Sequence, residues 1–347
     1  MFILRLLSIA LLSYLSIKFT MKHAEKINLL DIPNDRSHHD VVIPRGAGIG
    51  FIFAFFISSI IFETQLFLQD WFIFASIFVV FSVGILDDMR EVSPKLKFIA
   101  IFLATYILWL NGYGIHTIGS WFGYKVDLSW GVGLFFSMFA LAGFTNALNL
   151  IDGLDGLAGS ISIVIICIFG FIGLKYHNDT MIVISCFIVA SLLGFMFLNW
   201  NAAKVFMGDS GSLTLGFVIS VLAVMSIKYI HPVTILYLGA LPILDTLIVM
   251  IRRIRQGKSP FSPDQTHIHH ILIKFFDNQV EKTVIFLIIL QVIFSSVGYM
   301  LIDVIKNDPY RYVPFFSLIG FVLIFILFYM VFTSMCKRQK ILDNIVI

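Results

Sequence analysis

Long apolar runs recur from one end of this chain to the other, and short polar interruptions separate them. A helix that crosses a bilayer needs roughly 20 apolar residues, fewer where flanking side chains snorkel. Eleven segments meet that pattern: Phe2–Ile17, Gly46–Phe62, Trp71–Ile85, Leu96–Leu110, Trp130–Ala147, Ser160–Leu174, Met181–Leu198, Leu213–Ile227, Val233–Ile251, Thr283–Ile302 and Phe315–Met335. Composition agrees, since 59% of the 347 residues are hydrophobic and only 13% are charged, against about 25% charged in soluble domains. A protein core cannot absorb that much apolar surface, so lipid must cover it. The fold expected is an all-α, polytopic membrane bundle of about 11 transmembrane helices, forming one domain over residues 1–347.

Orientation follows from the basic residues, which favour the cytosolic side. With the N-terminus outside, most of the 24 Lys and Arg fall on cytosolic segments. Lys18, Lys22, Lys26, Arg36 and Arg45 lie on the first, Arg90, Lys95 and Lys97 on the second, and Lys204 on the fourth. Arg252, Arg253, Arg255, Lys258, Lys274 and Lys282 occupy the largest, and Lys337, Arg338 and Lys340 the tail. This predicts an N-terminus outside and a C-terminus in the cytosol. A net charge of +3 says little here, and no nucleic-acid partner is expected. Cys167, Cys186 and Cys336 lie in or beside apolar runs with no metal-binding spacing, which reads as buried packing.

In this topology every unusual polar cluster meets the cytosolic face, on loops near residues 18–45, 86–97, 148–159, 199–212 and 252–282. Asp87 and Asp88 end the third apolar run, ahead of Lys95 and Lys97. Adjacent acids at a membrane boundary need a positive partner or a metal; an ordinary helix cap is the plainer account. Asn146 and Asn149 share a helical face and lead into Asp152, Gly153, Asp155 and Gly156. Neutral amide oxygens beside carboxylates suit Mg²⁺ next to a phosphate, although a polar helix exit with glycine C-caps has the same look. Asp209, flanked by Gly208 and followed by Ser210, Gly211 and Ser212, combines a hard oxygen with free backbone N–H groups at a helix start. His267, His269 and His270 lack zinc spacing and read as phosphate contacts. Arg45 precedes a glycine-rich helix entry suited to an anion, or it anchors the loop on the cytosolic side.

Taken together these motifs resemble the polyprenyl-phosphate N-acetylhexosamine-1-phosphate transferase family, which also contains the phospho-N-acetylmuramoyl-pentapeptide translocase. The likeness runs from about Asp31 to His270 in family order. It takes in the segment from Asp31 to His38, Pro44-Arg45-Gly46-Ala47-Gly48, the Asp87-Asp88 pair with its downstream lysines, Asn146 to Leu157, Lys204 to Ser212, and the histidine loop. The resemblance implies that undecaprenyl phosphate displaces UMP from a UDP-sugar, with Mg²⁺ present and Mn²⁺ able to substitute. It gives Asp87, Asp88, Lys97, His267, His269 and His270 catalytic roles, Asn149 and Asp209 the metal, and Arg45, Asn146, Asp152, Asp155 and Asn199 the substrate. The run from Pro263 to His270 looks like the N-acetylglucosamine branch, while the early Arg36 and Arg45 segments look like enzymes that start O-antigen chains. A homodimer is compatible with the family.

Two rivals make different demands. An intramembrane prenyltransferase would need paired Asp-rich motifs and would leave the histidine loop and the Asp209 segment unexplained. An ion-coupled transporter would carry acids near mid-span; only Asp245 comes close, in the cytosolic third of its run.

Overall fold

The computed structural model describes residues 1–31, 42–259 and 266–345, with side chains as far as 338. The segment 32–41, with Arg36 and His38, and residues 260–265, with Pro263, lie outside the described residues. The chain forms two compact units, Met1–His116 with Leu128–Tyr229, and Thr117–Asp127 with Ile230–Ile347.

The first unit contains α1 (Phe2–His23), a short antiparallel pair β1 (Leu30–Asp31) and β2 (Ile43–Pro44), α2 (Ala47–Phe62), α3 (Thr64–Gln69) and α4 (Trp71–Arg90). It continues through α5 (Pro94–Leu110), α6 (Trp130–Ile151), α7 (Leu157–Lys175), α8 (Asp179–Asn199) and α9 (Asp209–Ser226). Nearly every residue of α9 is buried, and it packs against α2, α4, α6 and α7. Lipid is as apolar as leucine, so burial alone does not hold such helices together; close backbone approach and van der Waals packing do. Gly84 on α4 shows the approach: an added Cβ would sit 2.6 Å from the Ser210 Cα on α9.

The second unit opens with a hairpin of β3 (Thr117–Trp121) and β4 (Tyr124–Asp127), which the sequence reading did not foresee. Its two-residue loop, Phe122-Gly123, has positive φ at both positions, the backbone hand that matches strand twist. There follow α10 (Pro232–Leu238), α11 (Ala240–Arg255), α12 (Ile268–Phe275), α13 (Val280–Lys306) and α14 (Val313–Ile345). Large apolar side chains on α13 and α14, such as Ile289, Met300, Phe316 and Leu323, are exposed, as a lipid-facing surface requires.

Each of the eleven apolar runs is helical. Among the described residues eight helices are long and apolar enough to cross a membrane, so the chain is a helical multi-pass membrane protein, and nine qualify if one bent pair counts as a span. That pair lies in the run Val233–Ile251, where α10 and α11 meet at 85° across Gly239. Backbone groups freed by a break in a membrane helix must be bonded elsewhere. Gln291 of α13 does this, accepting the Leu241 N–H at 3.0 Å and donating to the Leu238 carbonyl at 2.7 Å.

Candidate active site

In the first unit the segment 206–211 brings the polar residues together, and the entry to α2 holds it. Phe206 N–H donates to the Pro44 carbonyl at 2.9 Å, Ala47 N–H to the Phe206 carbonyl at 3.1 Å, and Gly48 N–H to the Met207 carbonyl at 2.9 Å. The Pro-Arg-Gly-Ala-Gly and Gly-Asp-Ser-Gly motifs, far apart in sequence, are therefore one hydrogen-bonded structure.

Asp88, only 3% exposed, closes that structure from α4. Its carboxylate accepts the backbone N–H of Asp209 at 2.7 Å and of Ser210 at 3.0 Å. The first N–H groups of a helix lack intrahelical partners, and a carboxylate there also meets the positive end of the helix dipole. Gly208, at φ +74°, gives it room, since a Cβ there would lie 2.6 Å from the Asp88 Oδ2. Arg45, expected to face an anion, donates from Nη2 to the Asp88 carbonyl at 2.8 Å.

Asp87 points to a different partner. Its Oδ2 accepts from Lys97 Nζ at 2.7 Å and its Oδ1 from the Val92 N–H at 2.8 Å. The same ammonium group donates to Asp209 Oδ2, so Lys97 lies between two carboxylates. The other Asp209 oxygen accepts from Asn149 Nδ2 at 3.0 Å, and Asn149 also donates to Ser212 Oγ at 2.8 Å. Asn149 is thus drawn into the cluster. Asn146, one turn earlier, is not: its amide donates to the Ala142 carbonyl of its own helix at 2.8 Å.

The loop after α6 completes the cluster. Asp155 Oδ2 accepts the Ala203 N–H at 2.9 Å. Asn199 accepts the Gly156 N–H and donates to the Val205 carbonyl, each at 2.9 Å. These two residues tie the loops at 152–156 and 199–207 together. Asp152 has its carboxyl pushed up to about 7, first by burial and then by the nearby charges of Asp209, Asp88 and Asp155. Carboxylates outnumber cations in this cluster.

Among the described residues no three His, Cys, Asp or Glu side chains form a metal-binding group. Mg²⁺ does not need three. It is commonly held by one or two carboxylates, with waters and substrate phosphates completing its octahedron. Asp209 and Asp87 already grip one cation between them, so the oxygen set and the surplus negative charge fit that ion.

In the second unit the three histidines are together. The His267 and His269 rings stack at 5.7 Å and 19°, and the His269 and His270 rings lie 4.2 Å apart. His267 is the N-cap residue of α12. Asp245, the acid in the cytosolic third of its apolar run, is bonded to His267 Nδ1 at 2.7 Å. Its partner lies 22 residues on, a separation that no local pattern reveals.

Comparison with known proteins bears on this arrangement. The family model for glycosyl transferase family 4 matches residues 71–227. A Bacillus subtilis (strain 168) protein described as a probable undecaprenyl-phosphate N-acetylglucosaminyl 1-phosphate transferase is 32% identical over 303 residues, covering 81% of this chain and 80% of its own. The undecaprenyl-phosphate alpha-N-acetylglucosaminyl 1-phosphate transferases of Escherichia coli (strain K12) and Salmonella typhi are 33% and 34% identical, each covering 78% of this chain and 76% of the relative.

Proposed function

Because the chain belongs to glycosyl transferase family 4, we propose that it transfers N-acetylglucosamine-1-phosphate from UDP-N-acetylglucosamine to undecaprenyl phosphate, releasing UMP. The product is the lipid-pyrophosphoryl sugar on which O-antigen or another cell-envelope polysaccharide is built. The observation that carries the reading is the Lys97 ammonium group held between Asp87 and Asp209, with Asn149 beside them at the start of α9. Phosphoryl transfer asks for positioning and charge neutralisation rather than elaborate covalent chemistry, and this cluster offers both.

In the reaction an oxygen of the lipid phosphate bonds to the β-phosphorus of the donor. The bond from that phosphorus to the bridging oxygen breaks, and the electron pair leaves with UMP. Lys97 neutralises pyrophosphate charge, and Asp87 and Asp209 fix the position of its ammonium group. Asp209 and Asn149 would hold Mg²⁺, which when bound supplies further neutralisation of the pyrophosphate and of the departing UMP. A phosphate monoester is already largely ionised near neutral pH, so no base is required. Both oxygens of Asp87 and both of Asp88 accept hydrogen bonds, which favours single displacement over attack by an aspartate. The histidine cluster of the second unit is assigned to phosphate contact through imidazole nitrogens, and Asp155 and Asn199 to shaping the nucleotide side. The eleven-span topology, with a periplasmic N-terminus and a cytoplasmic site in the bacterial inner membrane, belongs to the same proposal, and homodimerisation is compatible with it.

The test is product analysis with purified protein, undecaprenyl phosphate and Mg²⁺, offering UDP-N-acetylglucosamine beside UDP-N-acetyl-amino-deoxy sugars. Appearance of label from N-acetylglucosamine in the lipid extract supports the assignment. Label from a different donor alone would move the sugar and keep the reaction.

A further inference from the structure

Asp245 is a buried acid within α11, where an ionised group persists only when it is paired and hydrogen-bonded. It is 0% exposed, and both oxygens are used on a single turn. Oδ2 meets His267 Nδ1 at 2.7 Å, and Oδ1 accepts the Ile268 N–H at 2.7 Å. The second bond caps the start of α12, which carries His269 and His270. Seven residues along α11, Arg252 donates from Nη1 to the Thr266 carbonyl at 2.8 Å. One helix thus holds the histidine turn on both sides of His267, which is itself only 4% exposed.

An ionised carboxylate can only accept hydrogen bonds. Nδ1 of His267 must then carry a proton, and Nε2 is the ring nitrogen left for an external partner. We propose that Asp245 is a positioning residue for the transfer reaction, setting the ring plane and the Nδ1–H form of His267 while its second oxygen caps the histidine helix. The inference rests on the transferase reading for its effect on activity. Its structural half stands apart from that reading.

The decisive variant is Asp245→Asn. Asparagine has one accepting oxygen where aspartate has two. If that oxygen stays on the Ile268 N–H, the amide NH₂ faces Nδ1 of His267 and forces it to accept. The neutral ring then becomes Nε2–H, so its second nitrogen changes from acceptor to donor while the helix cap survives. Carboxylate partners of metal-binding histidines are typically worth about 10- to 100-fold, and the same order is expected for a carboxylate that orients a phosphate-contacting ring. We expect kcat to fall by about that factor, with KM for UDP-N-acetylglucosamine changing less.

Two readouts separate positioning from simple structural support. The first is ¹⁵N NMR of histidine-labelled protein, with the His267 signals identified by their loss in His267→Gln. It should report Nδ1–H in the wild type and Nε2–H in Asp245→Asn. The second is a double-mutant comparison, in which Asp245→Asn added to His267→Gln should slow turnover little further, because contacting residues are not additive. An Nε2–H ring in the wild type, full kcat in Asp245→Asn, or additive losses in the double variant would each overturn the proposal. The tautomer is read without turnover, so failure of the transferase reading and failure of this one give different results.

Discussion

The carboxylate of Asp88 accepts the backbone N–H of Asp209 at 2.7 Å, so the acid on α4 and the acid that starts α9 are joined through main chain rather than through charge. A second bond to Ser210 makes Asp88 the cap of the most deeply buried helix in its unit. The two adjacent aspartates therefore do different work, since Asp87 is turned toward Lys97.

This division predicts different consequences for two isosteric changes. Asp88→Asn leaves one buried N–H facing an amide NH₂, at a cost of about 1–3 kcal/mol. Asp87→Asn leaves a more accessible group with an oxygen still available to Val92. Thermal unfolding in detergent should show the larger loss of Tm in Asp88→Asn, and turnover should fall in both. Equal melting temperatures would contradict the capping role.

Lys97 acts as the resident cation between Asp87 and Asp209. Under the proposed reaction, replacement by Gln removes the cation that neutralises the pyrophosphate, and losses of about 10²- to 10³-fold in kcat are typical for one such group. The same change removes a competitor for the two carboxylates. The Mg²⁺ concentration for half-maximal residual activity should therefore fall, read from a metal titration of Lys97→Gln beside the wild type. Arg should not restore the rate, because its planar fork cannot occupy the point between two acids that an ammonium group fills.

Much of this was legible in the sequence because it is written locally. Period, length and apolar content identified the helices, and short motifs identified Asp87, Asp88, Lys97, Asn149 and Asp209 as members of a polar site. What escaped depends on partners far along the chain. The 85° break at Gly239 is satisfied by Gln291, 52 residues away, and nothing around Gly239 announces that amide. The hairpin at Thr117–Asp127 did carry a signal in Phe122-Gly123, but a chain dominated by apolar runs draws attention from a short exposed turn. Asn199 and Asp155 carried the right chemistry for a ligand, yet in the fold they bond one loop to another.

Gln291→Leu tests the account of the broken helix. Leucine removes both backbone bonds and the one to Ser295 Oγ, so the Leu241 N–H loses its acceptor while the Leu238 carbonyl keeps the Ser295 hydroxyl at 3.2 Å. A loss of about 1–3 kcal/mol is expected from the unsatisfied N–H, visible as earlier unfolding. An unchanged Tm would mean that the bend is held by other contacts.

His231 gives a pH-dependent prediction. Its Nδ1 accepts the Val233 N–H at the start of α10, and burial pushes its imidazole from 6.5 down to about 4, with Arg311 adding to the fall. The folded state then binds fewer protons than the unfolded state between these values, so its contribution to stability is present above 6.5 and is lost as pH falls toward 4. The drop in Tm between pH 6.5 and 4.5 should be smaller in His231→Asn, which retains a capping oxygen without a titrating ring. An identical drop in both proteins would remove His231 from the explanation.

The most direct test of the central claim is UMP release by purified protein from UDP-N-acetylglucosamine, with Mg²⁺ and undecaprenyl phosphate supplied or withheld, in the wild type and in Asp209→Asn. The account predicts release that requires both additions and is lost in the variant while the protein remains folded. Release without the lipid phosphate, or full turnover by Asp209→Asn, would contradict it.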